Sequence, residues 1–156
     1  QSAQNVQRRG YDQSLWLDPI EMKYIEELSG MNFFILQNGE LHTPMLNGSF
    51  LAGITRDSII SLARYKGITV VERDIPIQEV LTGIKSGAVS EIFACGTAAI
   101  VSPVSVIADA DGTNYAVNTV DELAATLRQS LLAIQERRET DPFAWSIEVD
   151  KKYNPA

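Results

Sequence analysis

The sequence predicts one mixed α/β domain. Short β-branched and aromatic runs bounded by turn residues read as strands, and longer segments carry apolar residues at helical spacing. The 156 residues, 45% hydrophobic and 21% charged, suit a globular chain that buries its own core. No internal repeat or low-complexity linker divides residues 1–156, which are read as a single unit.

The elements follow in order. Residues 1–10 read as the last turns of a helix ended by Gly10, so the chain is expected to be part of a longer protein. Leu15-Trp16-Leu17 is short enough for a buried strand. Tyr24-Ile25 and residues 31–36 are the next strands. Gln37-Asn38-Gly39-Glu40 joins the latter to Leu41-His42-Thr43, because Asn-Gly between apolar runs tolerates the positive φ angles of a two-residue hairpin. Residues 44–52 read as an irregular loop. A helix then begins with Thr55 as N-cap and Asp57 in its first turn, shows Ile59, Ile60, Leu62 and Ala63 on one face, and stops before Gly67.

Residues 68–73 form a β-branched strand, and Pro76 introduces a short helix over 77–84. Residues 91–95 and 98–106 read as two strands meeting at Gly96-Thr97, where a β-bulge is one option. Asp109 to Gly112 is a turn. Thr119 and Glu122 have capping-box spacing. The helix beyond carries Val120, Leu123, Ala124, Leu127, Leu131 and Ile134 as a stripe and ends in the charged run 135–139.

Composition removes several functions. A net charge of −7 disfavours nucleic acid, which is met by basic surfaces. No apolar run approaches the roughly 20 residues that span a bilayer. Cys95 is the only cysteine, so an intrachain disulfide is impossible and a reducing, cytoplasmic setting is expected. His42 is the only histidine and reads as a surface loop residue, so zinc sites and Ser-His-Asp triads lack their parts and no metal is expected. The lysines stand at 23, 66, 85, 151 and 152, with Lys85 in a Gly/Ser-rich loop. None has the desolvated or cation-flanked context of a nucleophilic lysine.

Three segments could carry chemistry. At Gly53-Ile54-Thr55 the first N–H groups of a helix have no intrahelical partners, so they and the Thr55 hydroxyl could hold a phosphate. Thr55 could equally do no more than cap its helix. Gly96-Thr97 offers a second such turn. Glu26 and Glu27 lie among Tyr24, Ile25 and Leu28, and strand alternation turns one carboxylate inward. A buried carboxylate needs a charge or a donor, and a protonated pyridine nitrogen would serve. A hydrated edge position is the alternative.

The strings Leu15-Trp16-Leu17-Asp18, Glu26-Glu27-Leu28-Ser29-Gly30-Met31-Asn32-Phe33, Leu51-Ala52-Gly53-Ile54-Thr55-Arg56-Asp57-Ser58 and Glu91-Ile92-Phe93-Ala94-Cys95-Gly96-Thr97-Ala98-Ala99 resemble branched-chain amino acid aminotransferases. These are pyridoxal 5'-phosphate enzymes of fold type IV, shared with D-amino acid aminotransferase and aminodeoxychorismate lyase. The resemblance runs from about Tyr11 to Trp145 and implies the family's large C-terminal domain, a pseudo-barrel of strands and helices. It implies that Glu27 meets the pyridine nitrogen and that Leu51 packs on the ring. Gly53, Ile54 and Thr55 would form the phosphate turn, with Thr97 as a second phosphate contact. Thr97, Ala98 and Ala99 would face the substrate carboxylate.

The activity implied is transfer of the amino group of leucine, isoleucine or valine to 2-oxoglutarate, giving glutamate, in a homodimer or larger assembly. The family's Schiff-base lysine matches a position upstream of Gln1, so these residues alone are expected not to transaminate. Mammalian members carry a Cys-x-x-Cys pair where Ala99 and Ser102 stand, so no thiol switch is expected. Two rivals remain: another fold type IV enzyme, and a non-catalytic phosphate- or nucleotide-binding domain. A Lys followed by Asn-Tyr-Ala encoded just before Gln1 would favour the enzyme.

Overall fold

The computed structural model describes residues 6, 9–117 and 122–149. Strands β1 (Leu15–Leu17), β2 (Ile25–Leu28), β3 (Met31–Gln37), β4 (Glu40–Pro44), β5 (Val70–Arg73), β6 (Val89–Gly96) and β7 (Ile100–Pro103) form one mixed sheet. A separate hairpin pairs β8 (Val106–Ala108) with β9 (Asn114–Ala116). Helices α1 (Ile54–Tyr65), α2 (Ile77–Ser86) and α3 (Glu122–Gln135) complete the described elements.

Strand β3 organises the sheet. One edge pairs with β6 from Asn32 to Gln37, while the other pairs with β2 at its start and β4 at its end. The sheet therefore forks. Strand β5 lies parallel to β4, and just beyond it the Ile75 carbonyl accepts the Ile25 N–H at 2.9 Å. That bond returns the path to β2 and curls the sheet into the expected pseudo-barrel. The predicted hairpin at Asn38-Gly39 is present, with φ of 52° and 82°. Ser29-Gly30 makes the same kind of turn between β2 and β3, with φ of 46° and 85°. The sequence reading passed over it because Ser rarely enters that region.

Alternation along β3 divides the core. Phe34 and Phe93 stack at 5.1 Å and pack with Cys95 and Val101 under α1 and α3. Phe33, Ile35 and Ile92 point the other way, against Val80 and Leu81 of α2. The predicted stripe of α3 is buried at Ala124, Leu127, Leu131 and Ile134. Thr119, Val120 and Asp121 of the expected capping box lie outside the described residues, as do most of residues 1–8. The start of α3 takes a cap from a distant strand instead: the Glu91 carboxylate of β6 accepts the N–H groups of Leu123 at 2.9 Å and Ala124 at 3.0 Å.

Three expectations are corrected. The run expected over 98–106 divides into β7, a break, and β8. Lys85 belongs to the last turn of α2, which runs on to Ser86 and stops at Gly87, φ 80°. His42 is buried in β4 rather than exposed in a loop. Its Nδ1 accepts a hydrogen bond from Arg73 Nε at 3.0 Å, and Arg73 also pairs with Glu79 of α2. Its place in a strand explains the burial, because alternation puts it on the same face as its partner Ile35.

Two tests follow from these contacts. Glu91→Ala leaves one buried and one part-buried N–H group unpaired and should lower unfolding free energy by about 2 kcal/mol in urea titrations. Burial, and then the neighbouring Arg73 charge, hold the His42 pKa below the ordinary histidine value. The unfolded chain therefore takes up the proton more readily than the folded one. This contribution is full above the unfolded pKa of about 6.5 and declines as pH falls below it. His42→Gln keeps an acceptor for Arg73 without titrating, and should flatten the loss of stability between about pH 7 and 5.

Candidate active site

The predicted site residues converge on one end of the sheet, and a β-bulge aims the first of them. Between β1 and β2 the register steps from Trp16↔Glu27 to Leu17↔Ile25, leaving Glu26 as an extra residue. Strict alternation would put Ile25 and Glu27 on one face. With the bulge, Ile25 joins Phe33 and Ile35 in the core, while Glu27 pairs across from Asn32 on the opposite face. Glu27 is half-buried, and none of the ion pairs among the described residues involves it.

Asn32 is the centre of the arrangement. It is buried in β3, directly opposite Glu27 on one side and Cys95 on the other. Its Nδ2 donates to the Leu51 carbonyl at 2.9 Å. Its Oδ1 lies so close to Gly53 that a Cβ there would collide with it. Gly53 has φ 59° and ψ 117° and is the N-cap of α1, without a side-chain cap.

Thr55 is thus not the cap. It is the second residue of the helix, because the chain turns into helical geometry at the glycine two positions earlier. The consequence favours an anion: with no side chain at the cap, the N–H groups of Ile54 and Thr55 have no hydrogen-bond partner among the described residues. Leu51 and Ile54 flank this turn and are 77% and 90% exposed.

The third segment reaches the same end of the sheet. Gly96 closes β6 beside Met31, and Thr97, Ala98 and Ala99 form an exposed turn into β7. The register across β6 and β7 is regular, so Gly96-Thr97 opens a hairpin rather than making a bulge. Of the residues expected to face a substrate carboxylate, Ala98 and Ala99 have only backbone groups to offer.

Arg56, in the first turn of α1, is buried and donates through Nη2 to the Pro44 carbonyl and to Glu72, both at 2.9 Å. Its Nε has no partner among the described residues. The Arg56 hydrogen bond is the main cause that lowers the Glu72 pKa. Cys95 lies on the same face, and burial pushes its thiol pKa up to about 12, so it is no nucleophile. Lys23, Lys66 and Lys85 are exposed.

A groove of about 690 Å³ lies elsewhere, bounded by Phe33, Leu81 and the connection from β7 to β8. It contains none of the predicted site residues. Sequence reasoning missed Asn32, Arg56 and the bulge. The amide inside the apolar run Met31-Asn32-Phe33-Phe34 was the one readable signal.

The site presents a carboxylate without a basic partner, a row of free amide donors and an apolar wall. That set fits a flat cation that carries a phosphate at its other end. The family model for class IV amino-transferases matches residues 1–107. The chain belongs to the class IV aminotransferases.

Branched-chain-amino-acid aminotransferase 2 of Bacillus subtilis (strain 168) is 45% identical over 148 residues, 94% of this chain and 40% of that protein. A probable branched-chain-amino-acid aminotransferase of Staphylococcus aureus (strain N315) is 42% identical over 94% of this chain and 41% of its own length. The branched-chain amino acid aminotransferase from Escherichia coli superposes with a TM-score of 0.75 at 30% identity, over 92% of this chain and 45% of that one. The branched-chain amino acid aminotransferase from Thermobaculum terrenum, in its PLP-form, gives 0.71 at 28% identity, over 88% and 41%. This class IV aminotransferase chain therefore spans about two-fifths of the curated relatives it matches.

Gly53→Ala forces a side chain into a left-handed backbone and against Asn32. It should cost about 2–4 kcal/mol of stability by urea denaturation, the strain and the clash adding.

Proposed function

We propose that this chain is the cofactor-binding part of a pyridoxal 5'-phosphate-dependent branched-chain-amino-acid aminotransferase. The enzyme would move the amino group of leucine, isoleucine or valine to 2-oxoglutarate. One observation carries the reading. Glu27, the uncapped start of α1 and the Gly96-Thr97 corner meet around Asn32, in a chain 45% identical to a protein named for this reaction.

When bound here, the cofactor supplies an electron-withdrawing ring that stabilises negative charge at the substrate Cα. Glu27 would accept a hydrogen bond from the ring nitrogen and keep it protonated, because a carboxylate opposite that N–H favours the charged form. The N–H groups of Ile54 and Thr55, with the Thr55 hydroxyl, would hold the phosphate, helped by the positive end of the α1 dipole. Gly53 lets the backbone come close. Leu51, largely exposed, offers an apolar surface to one ring face. Thr97 adds a second phosphate-side donor, and the backbone of Thr97, Ala98 and Ala99 offers N–H groups to the substrate carboxylate.

The lysine that carries the cofactor and moves the Cα proton would come from sequence beyond these residues. The exposed positions of Lys23, Lys66 and Lys85 support that view, since none is desolvated. The enzyme would act in the cytoplasm as a homodimer or larger. No described helix is long and apolar enough to cross a membrane.

The deciding experiment uses the full-length protein of the parent gene loaded with pyridoxal 5'-phosphate. L-Leucine should abolish the visible absorption of the bound cofactor, and a branched 2-oxo acid should restore it. Loss of the band with D-alanine alone would move the assignment to the D-amino acid branch. No visible band even with added cofactor would overturn the cofactor assignment.

A further inference from the structure

Glu27 and the free N–H groups of α1 come from separate stretches of chain. What sets their spacing is how loop 44–53 lies on the sheet. A rigid ring bonded at its nitrogen and at its phosphate tolerates little error in that spacing. Two side chains tie the loop to the strands beside Glu27. Ser49 Oγ donates to Glu26 Oε1 at 2.6 Å, in an exposed position. Asn32 Nδ2 donates to the Leu51 carbonyl at 2.9 Å, in a residue only 7% exposed.

Building on the cofactor reading above, we infer that Asn32 is a positioning residue for the phosphate end of the site. It aims the first N–H groups of α1 at a fixed distance from Glu27. Its amide works in two directions. The donor half holds Leu51, and the acceptor half abuts the α carbon of Gly53, one residue before the first free N–H. Asn32 also pairs across from Glu27, so its side chain links the turn directly to the strand position that carries the carboxylate.

Cutting the amide back to a methyl leaves the Leu51 carbonyl without its partner and opens space beside Gly53. The turn can then relax toward the sheet, while Ser49 and Glu26 still hold the middle of the loop. The amide N–H groups stay in place chemically but lose their aim. A residue that only packed the fold would weaken every ligand alike. A residue that aims the phosphate donors weakens only ligands that carry a phosphate.

The test uses the full-length enzyme stripped of cofactor, titrated with pyridoxal 5'-phosphate and separately with pyridoxal, which lacks the phosphate. Asn32→Ala should weaken pyridoxal 5'-phosphate binding by about tenfold, the value of one well-aimed charge-assisted hydrogen bond. Pyridoxal affinity should change by no more than about twofold, within the spread expected of a site whose direct contacts are intact. Asn32→Ser, too short to reach Leu51, should give the same split and serves if the alanine variant does not fold. Equal weakening of both ligands, or an unchanged preference for the phosphorylated one, overturns the positioning role while the cofactor reading stands. A wild-type enzyme that binds both ligands equally refutes the phosphate site itself, and the positioning role with it.

Discussion

Strand β3 is bonded along one edge to β6 and shared along the other by β2 and β4, and every functional segment takes its place from that sharing. Because β2 occupies only the first residues of the shared edge, its end stops level with Met31 and Asn32. Strand β6 runs antiparallel and so finishes at the same level, at Gly96. Three chain reversals are thereby stacked at one end of the sheet: Ser29-Gly30, Thr97-Ala98-Ala99 and the entry to α1. None touches another in sequence. The register of β3 is what makes them neighbours, and a slip by one residue would send Asn32 into the Phe33 core and bring a phenylalanine to the site.

The electrostatics run against the chain's overall character. A protein with net charge −7 repels anions at long range, so a phosphate site must be built from local fields. Free amide groups at a helix start do this without mobile cations, since they are fixed by the backbone and cost no side-chain ordering. Arg56 adds a buried cation in the first turn. Its partner Glu72 neutralises it, as burial demands, so its main effect is mechanical. By gripping the Pro44 carbonyl it ties the start of the loop to the helix that the loop introduces.

Much of the fold was legible. The Asn38-Gly39 hairpin, the apolar face of α1 and the stripe of α3 each follow from a local pattern with a local physical cause. What was not legible depends on pairing. Glu27 stands out in the sequence as a carboxylate among apolar neighbours, but the bulge that aims it is a relation between β1 and β2 and leaves no mark in either strand alone. Thr55 was mistaken for the cap because Thr is a good cap by composition, whereas a glycine with positive φ two residues earlier had already turned the chain. His42 looked like a loop residue because its strand is short and polar. Burial comes from its pairing between β3 and β5, and its hydrogen-bond partner Arg73 lies thirty-one residues away. Asn32 stood inside a motif string yet attracted no role, since its partners, Leu51 and Gly53, are distant in sequence.

Loop 44–53 shows how an irregular segment is tied down by side-chain hydrogen bonds. Ordering each residue of such a loop costs about 1–2 kcal/mol of backbone entropy, which no single contact offsets. Here the loop is clamped at its start by Arg56 on Pro44, in its middle by Ser49 on Glu26, and at its end by Asn32 on Leu51. The clamp at Pro44 is buried and that at Leu51 part-buried, where competing water weakens hydrogen bonds less. The exposed one, at Ser49, is the one most open to competing water. Rigidity is therefore concentrated at the two points that fix the direction of α1, where an error would be amplified along the row of N–H groups. The Leu51 and Ile54 side chains remain exposed, because the backbone between them, and not their side chains, carries the restraint.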